Sequence, residues 1–298
     1  MACVKTIDFG GVEAVSFEND GLELVAISGY GPRIARLALP GGENLLLWRP
    51  GEYTRGQWDL RGGHRVWTTT PGADECEDTY APDNGPCDIE LFDDGFRLTG
   101  AKSELNATRR GLEVRLAGEN RLTVEHFVTN AGNMLYAAGL WGLTCTLPGE
   151  ATQYAIPLGD GHGWDTATVV LFREWAGQGQ GGFDDPQIRI AGDLMLVNPA
   201  GVENKRALRS DRGIIAMSDT ARDLSFAKKV DYDPAGDYPL GCNVAFYIGP
   251  DNFMVEMETM GPQQTLKPGQ SLSHRETWLL QRPAVDFTTG EALEKMFA

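Results

Sequence analysis

The chain has 298 residues, and its 26 Lys and Arg stand against 42 Asp and Glu, a formal charge of -16. Such a surface repels phosphate backbones and anionic bilayers, so nucleic acid and membrane are not expected as partners. Hydrophobic residues make up 42%, enough for a sizeable core, and 37 Gly with 16 Pro punctuate short apolar runs in the manner of strands and turns.

Taken in chain order, the opening Met1-Ala2-Cys3-Val4-Lys5-Thr6-Ile7-Asp8 has no apolar signal core. No run approaches the roughly 18 apolar residues of a membrane span. Turn signals follow at Asn19-Asp20-Gly21, Pro40-Gly41-Gly42 and Asp93-Asp94-Gly95. Leu112-Glu113-Val114-Arg115-Leu116 alternates at period two and predicts a strand with one face buried. After Gly118-Glu119-Asn120, Leu122-Thr123-Val124-Glu125-His126-Phe127-Val128 predicts another. Gly177-Gln178-Gly179-Gln180-Gly181-Gly182 reads as a surface loop. Val244-Ala245-Phe246-Tyr247-Ile248 is apolar throughout, as a strand covered on both faces would be. Lys267-Pro268-Gly269 turns into Leu272-Ser273-His274-Arg275-Glu276-Thr277-Trp278, a looser alternation. The last stretch, Thr289 to Phe297, predicts a helix capped by Thr289 with Glu291 early. Many short strands and few short helices predict an all-β sandwich of antiparallel sheets, in one domain spanning residues 1–298.

The five cysteines, Cys3, Cys76, Cys87, Cys145 and Cys242, are odd in number and form no Cys-x-x-Cys. This suits a cytoplasmic, reducing setting, without a disulfide scaffold or a cysteine zinc site. A Cys76–Cys87 bridge is the lesser alternative.

Chemistry-bearing residues cluster in a few places. Glu256 and Glu258 are two apart on a predicted strand, so they share a face with Met254, while Phe253, Val255 and Met257 face the other way. Two like charges on one sheet face repel, and proximity raises one carboxyl into the range of a general acid or base. The simpler account is two solvated surface acids. Arg65 and Trp67 likewise share a face: a guanidinium donates to several hydroxyls, and an indole covers an apolar sugar patch. Periodicity alone equally allows Trp67 in the core and Arg65 at the surface. His64 is kept as a binding candidate, although alternation sends it to the opposite face; the two glycines before it leave that phase open. Tyr80, Asp83 and Asn84 offer further hydroxyl partners, but a Pro82-Asp83-Asn84-Gly85 turn accounts for Asp83 without any ligand. His274 shares a face with Glu276, Trp278 and Leu280, and His126 with Val124 and Val128; both read as structural.

His64, His126, His162 and His274 are too dispersed for a cupin metal site. Calcium ligands are conceivable at Asp74 to Asp78 or at Asp184 and Asp185, but solvated loop acids explain both, and no EF-hand pattern is present. Phosphate-binding, dinucleotide and Gly-x-Ser-x-Gly motifs are absent.

Several stretches resemble the aldose 1-epimerases. Gly21-Leu22-Glu23-Leu24-Val25-Ala26-Ile27 leads through Gly31-Pro32-Arg33-Ile34-Ala35-Arg36-Leu37 to Gly42-Glu43-Asn44-Leu45-Leu46, similar to the opening of that family. Val255-Glu256-Met257-Glu258-Thr259 followed by Leu266-Lys267-Pro268-Gly269 is similar to its end. Gly62-Gly63-His64-Arg65-Val66-Trp67, Tyr80-Ala81-Pro82-Asp83-Asn84, and Lys228-Lys229 ahead of Tyr238-Pro239 resemble an uncharacterised bacterial branch of the galactose-mutarotase-like superfamily. The resemblance runs in order along most of the chain. It implies a β supersandwich that binds a small-molecule carbohydrate on the concave face of a large sheet, without metal or nucleotide cofactor.

It also implies that Glu258 takes the proton of the anomeric hydroxyl while a histidine protonates the ring oxygen. Here the pattern departs, because Trp141 stands where that histidine is expected. His162, in Gly159-Asp160-Gly161-His162-Gly163-Trp164, is the substitute the sequence offers. Two function classes follow: an aldose 1-epimerase-like isomerase with Glu258 and His162 catalytic and Arg65, His64, Trp67, Tyr80, Asn84, Trp141 and Glu256 binding substrate, or a non-catalytic sugar-binding protein. Monomer and homodimer both stay open.

Overall fold

The computed structural model describes residues 3–55, 58–69, 83–159, 164, 166–176 and 184–298, and in it nearly every element is a β-strand paired antiparallel with its neighbours. The larger sheet runs, edge to edge, through Cys3–Asp8, Glu13–Glu18, Glu23–Ile27, Arg33–Ala38, His64–Thr69, Tyr136–Thr146, Val255–Met260, Val244–Ile248, Asn204–Leu208 and Val169–Ala176; Gln264–Leu266 joins the Tyr136 end of its neighbour. The second sheet runs through Ile188–Ala191, Leu194–Val197, Thr152–Pro157, Ile214–Asp219, Leu224–Lys229, Ser271–Gln281, Arg121–Asn130, Thr108–Gly118, Gly95–Gly100 and Cys87–Phe92.

Period-two alternation builds the interior between these sheets. Leu112 and Val114 are fully buried while Glu113 and Arg115 are partly exposed. Leu122, Val124, His126 and Val128 follow the same phase on the paired strand. Facing them, Phe246, Val255 and Met257 come from the larger sheet, while Trp278 and Phe226 join them from their own. Burying each such side chain contributes about 1.5–3 kcal/mol. Val244–Ile248 forms the strand expected of a continuous apolar run: Val244, Phe246 and Ile248 enter this core, and Ala245 and Tyr247 face the other way.

The central strands of the larger sheet are therefore covered on both faces. Their outer face, the expected hollow of the supersandwich, is the face on which the candidate site lies. The C-terminal helix spans Gly290–Lys295, shorter than the predicted stretch, with the Thr289 hydroxyl accepting from Ala292 N–H at 3.1 Å. It packs Leu293 and Met296 on the outer face of the second sheet against Leu194, Ile214 and Phe287.

One turn sets the phase of the candidate site. Gly62 and Gly63 have φ of +88° and +74°, and a Cβ there would lie 2.2 Å from Leu47 O and 2.3 Å from Ile34 O. Only glycine tolerates both constraints. This double turn delivers His64 to the interior and Arg65 to the hollow. No described helix is long and apolar enough to cross a membrane.

Candidate functional site

The strand register lays the hollow out in transverse rows. Arg33 pairs with Arg65, Arg65 with Leu143, Leu143 with Glu258, Glu258 with Ala245, and Ala245 with Ala207. The adjoining row is Cys145, Glu256, Tyr247 and Lys205. On the other side, Trp67 pairs with Trp141 and Trp141 with Met260. Arg65, Trp67, Trp141, Glu256 and Glu258 thus share one face, where Ala245 and Ala207 pack with Trp67, Trp141 and Leu143 beside Glu258.

The two glutamates are not the open acid pair the sequence suggests. Glu258 has no exposed surface and Glu256 only 6%. Each faces its own cation, because a buried charge without a partner is costly. Arg65 Nη2 donates to Glu256 Oε1 at 2.9 Å, and Lys205 Nζ lies 3.4 Å from Glu258 Oε1. The other Glu258 oxygen, Oε2, accepts from the Trp141 indole N–H at 2.9 Å. A carboxylate oxygen facing an ammonium and another accepting from an indole is a setting that suits a base.

Arg65 is held in place on every side. Its Nη1 donates to Cys145 Sγ at 3.1 Å, and its guanidinium lies 4.3 Å over the Trp67 ring. Burial pulls its pKa down, but Cys145, Glu256 and Asp83 outweigh this and leave it permanently charged. Burial pushes the Cys145 thiol up to about 12, which removes it as a nucleophile near neutral pH. Trp67 and Trp141 meet edge to face at 5.6 Å.

Asp83 is more than a turn residue. It is buried, accepts from Trp67 Nε1 at 2.8 Å and pairs with Arg33 Nη2 at 2.9 Å, tying the loop to the floor of the hollow. Arg33 also donates to the carbonyls of Leu60 and Gly62. Asn84 turns to Arg61 Nε at 3.4 Å and not to the glutamates. Tyr80 and His162 lie outside the described residues, as do the acids from Asp74 to Asp78. Of the other acid pair, Asp184 is exposed and Asp185 is buried, where Asp185 accepts from Asn204 Nδ2 at 2.6 Å and from the Gln187 backbone at 2.9 Å. Asp185 therefore braces the Lys205 strand from its opposite side. Cys87 is a free thiol, and Cys76, its partner in the lesser alternative, lies outside the described residues.

His64 requires a correction: it points between the sheets, away from the hollow, because strand alternation opposes it to Arg65. There it joins His126, His274, Glu276 and Lys228, all buried. The proton positions can be deduced in sequence. His126 Nδ1 lies 2.9 Å from the His274 carbonyl and so carries a proton, leaving Nε2 as acceptor. His64 Nε2, 2.6 Å from that acceptor, must donate, and its Nδ1 accepts from the Thr144 hydroxyl at 2.8 Å. Thr144 Oγ1 in turn accepts from Lys228 Nζ at 3.0 Å.

His64, His126 and Glu276 bring ligand atoms within 4.8 Å of one another, a spacing compatible with a metal. The donor set argues otherwise. The two imidazole nitrogens already share a proton, and Glu276 accepts from Lys228, Thr259 and Trp278. A divalent ion would add two charges to a buried group already neutralised by one lysine and one glutamate.

Sequence reasoning missed Lys205 and the role of Arg33, and read Asp83 as a turn residue. Asn204-Lys205-Arg206-Ala207-Leu208 carries three polar residues in succession and shows no alternation, yet all five are buried.

No family model and no curated protein matches the sequence. Among solved structures, the chain is similar to a galactose mutarotase-like protein from Lactobacillus casei, at 13% identity and a TM-score of 0.62, over 90% of this chain and 100% of that one. A galactose mutarotase related enzyme from Lactobacillus acidophilus matches at 13% identity and a TM-score of 0.57, over 97% and 99%. A TPR-domain containing protein from Parabacteroides distasonis matches at 15% identity and 0.63, over 92% of this chain; the chain spans 48% of that longer protein. The shared feature is the fold: two packed antiparallel sheets of the galactose mutarotase-like kind.

Proposed function

We propose that the protein binds a cyclic sugar in the hollow of the larger sheet and interconverts its anomers, with Glu258 as the base at the anomeric hydroxyl. The observation that carries this reading is the setting of Glu258. It sits at the centre of the hollow, oriented through Oε2 by Trp141, with Lys205 at Oε1 and small Ala245 alongside. Arg65 and the two indoles supply what a pyranose needs beside a base: fixed donors for hydroxyls and flat apolar surfaces for C–H patches. General base catalysis of this kind contributes about 10²–10⁴-fold.

The test is NMR saturation transfer between the anomers of a panel of aldoses and uronic acids, measured above the spontaneous rate. Exchange in the wild type that E258Q abolishes supports the reading. A wild type that leaves every anomer pair at its spontaneous rate sinks it.

The second reading is a sugar-binding protein without turnover. It is favoured by Trp141, whose indole donates a hydrogen bond but does not give up its proton, at the place where the resemblance expects a histidine. Binding of a sugar with no exchange would select it.

A further inference from the structure

Ring opening at an anomeric carbon needs two groups side by side, one to take a proton from O1 and one to give a proton to the ring oxygen, because both oxygens are bonded to the same carbon. We infer that Lys205 is the proton donor to the ring oxygen, working as a pair with Glu258; this rests on the reading of the hollow as an anomer-exchange site.

The case is geometric. Lys205 comes from Asn204–Leu208, two strands across from Glu258, and its ammonium reaches diagonally to within 3.4 Å of Glu258 Oε1. Its ammonium lies over two aromatic rings, with Nζ 4.7 Å from the Trp141 ring centre and 5.6 Å from that of Phe172. The side chain is 8% exposed, so the ammonium is held at the hollow and does not reach into solvent.

The other described groups on this face are poor donors. Arg65 is permanently charged. The Cys145 thiol is pushed up to about 12 and bridges Arg65 and Glu256. The Tyr247 hydroxyl is raised by burial and already donates to Glu203. The Lys205 ammonium, in contrast, carries exchangeable protons and stands directly beside the proposed base.

The step balances without a co-reactant. Glu258 takes the O1 proton as C1–O1 becomes a carbonyl. The C1–ring-oxygen bond breaks, its electron pair goes to the ring oxygen, and Lys205 Nζ gives that oxygen a proton. After rotation about C1–C2, Lys205 takes the proton back as the bond reforms on the opposite face, and Glu258 returns its proton to O1. Both groups end in their starting states.

The experiment compares wild type, K205M, K205R and H162A by anomer exchange across pH, with sugar binding and thermal melts on the same samples. K205M is expected to lower the exchange rate by about 10²-fold or more. It should also remove the fall in rate at alkaline pH that marks loss of the acid's proton, a fall that H162A retains. K205R keeps the charge facing Glu258 but cannot release a proton near neutral pH; it is expected to restore folding and binding without restoring the rate. A K205R rate equal to wild type overturns the inference, since lysine would then act only as a charge. So does an alkaline limb that persists in K205M and vanishes in H162A. A wild type that binds sugar but never exchanges its anomers overturns both this inference and the enzymatic reading on which it rests, whereas an active wild type with an active K205M overturns this inference alone.

Discussion

Lys228 Nζ stands 2.7 Å from Glu276 Oε1, and neither side chain has any surface exposed to solvent. The pair links Leu224–Lys229 to Ser271–Gln281 within the second sheet, and Lys228 then reaches across the interior to the Met257 carbonyl at 3.0 Å and to Thr144. One ion pair thus pins the second sheet to the two strands that carry Trp141 and Glu258. Removing one partner of such a pair leaves the other charged and buried.

K228M is therefore expected to cost about 3–5 kcal/mol, and the double variant K228M/E276Q less than E276Q and K228M together. Urea unfolding of the four proteins measures both. A K228M protein as stable as wild type would show that Glu276 is not ionised.

Stability should fall on mild acidification. Burial lowers His64 well below the ordinary histidine value, lowers His126, and lowers His274 to about 3. The sign follows from linkage: below the unfolded value of 6.5 the unfolded chain takes up protons that the folded chain refuses. Stability present above about pH 6.5 is then lost as pH drops, by about 1.4 kcal/mol per unit for each histidine that stays neutral. Below 4.5 a second loss begins, because, against the opposing effect of burial, the Lys228 ammonium holds Glu276 below its ordinary value. Thermal melts from pH 8 to 5 check this, with H274Q expected to flatten the slope. A Tm that is constant between pH 7.5 and 5 contradicts it.

Gly142 holds open the space for this network. A Cβ there would lie 2.7 Å from Glu276 Oε1 and 3.2 Å from His126 Cε1. G142A is expected to destabilise the fold by about 1–3 kcal/mol, the usual cost of overpacking. Gly142 faces the interior while its neighbours Trp141 and Leu143 face outward, so the reporter is unfolding by denaturant, and an unchanged midpoint would show that the network relaxes freely.

The strands were legible because alternation is a local signal, as in Leu112–Leu116 and Leu122–Val128, and the shared face of Arg65 and Trp67 followed from the same rule. Its limits are equally physical. Alternation assigns a face but not a neighbour, so the match of Arg65 to Glu256, 191 positions later, was invisible. Lys205 was missed because Asn204, Lys205 and Arg206 are all buried, each against a partner or cover supplied by distant segments. Asp83 read as a turn residue because its neighbours are turn formers, while its partners Arg33 and Trp67 are brought to it only by the fold.

The indole of Trp141 separates orientation of the base from mere packing. W141F keeps an aromatic ring for the edge contact with Trp67 and for the Lys205 ammonium, and deletes the N–H that donates to Glu258 Oε2 at 2.9 Å. A hydrogen bond to a charged group contributes about 1.5–3 kcal/mol, so anomer exchange should fall about 10–100-fold if that bond holds the carboxylate toward the anomeric hydroxyl. Sugar affinity should change much less, because the flat surface remains. W141H puts a ring N–H donor back at the position, though on a smaller ring, and should recover part of the lost rate. Equal rates for W141F and wild type would mean that Lys205 and the strand alone orient Glu258, and an affinity loss matching the rate loss would assign Trp141 to the sugar platform and not to the base.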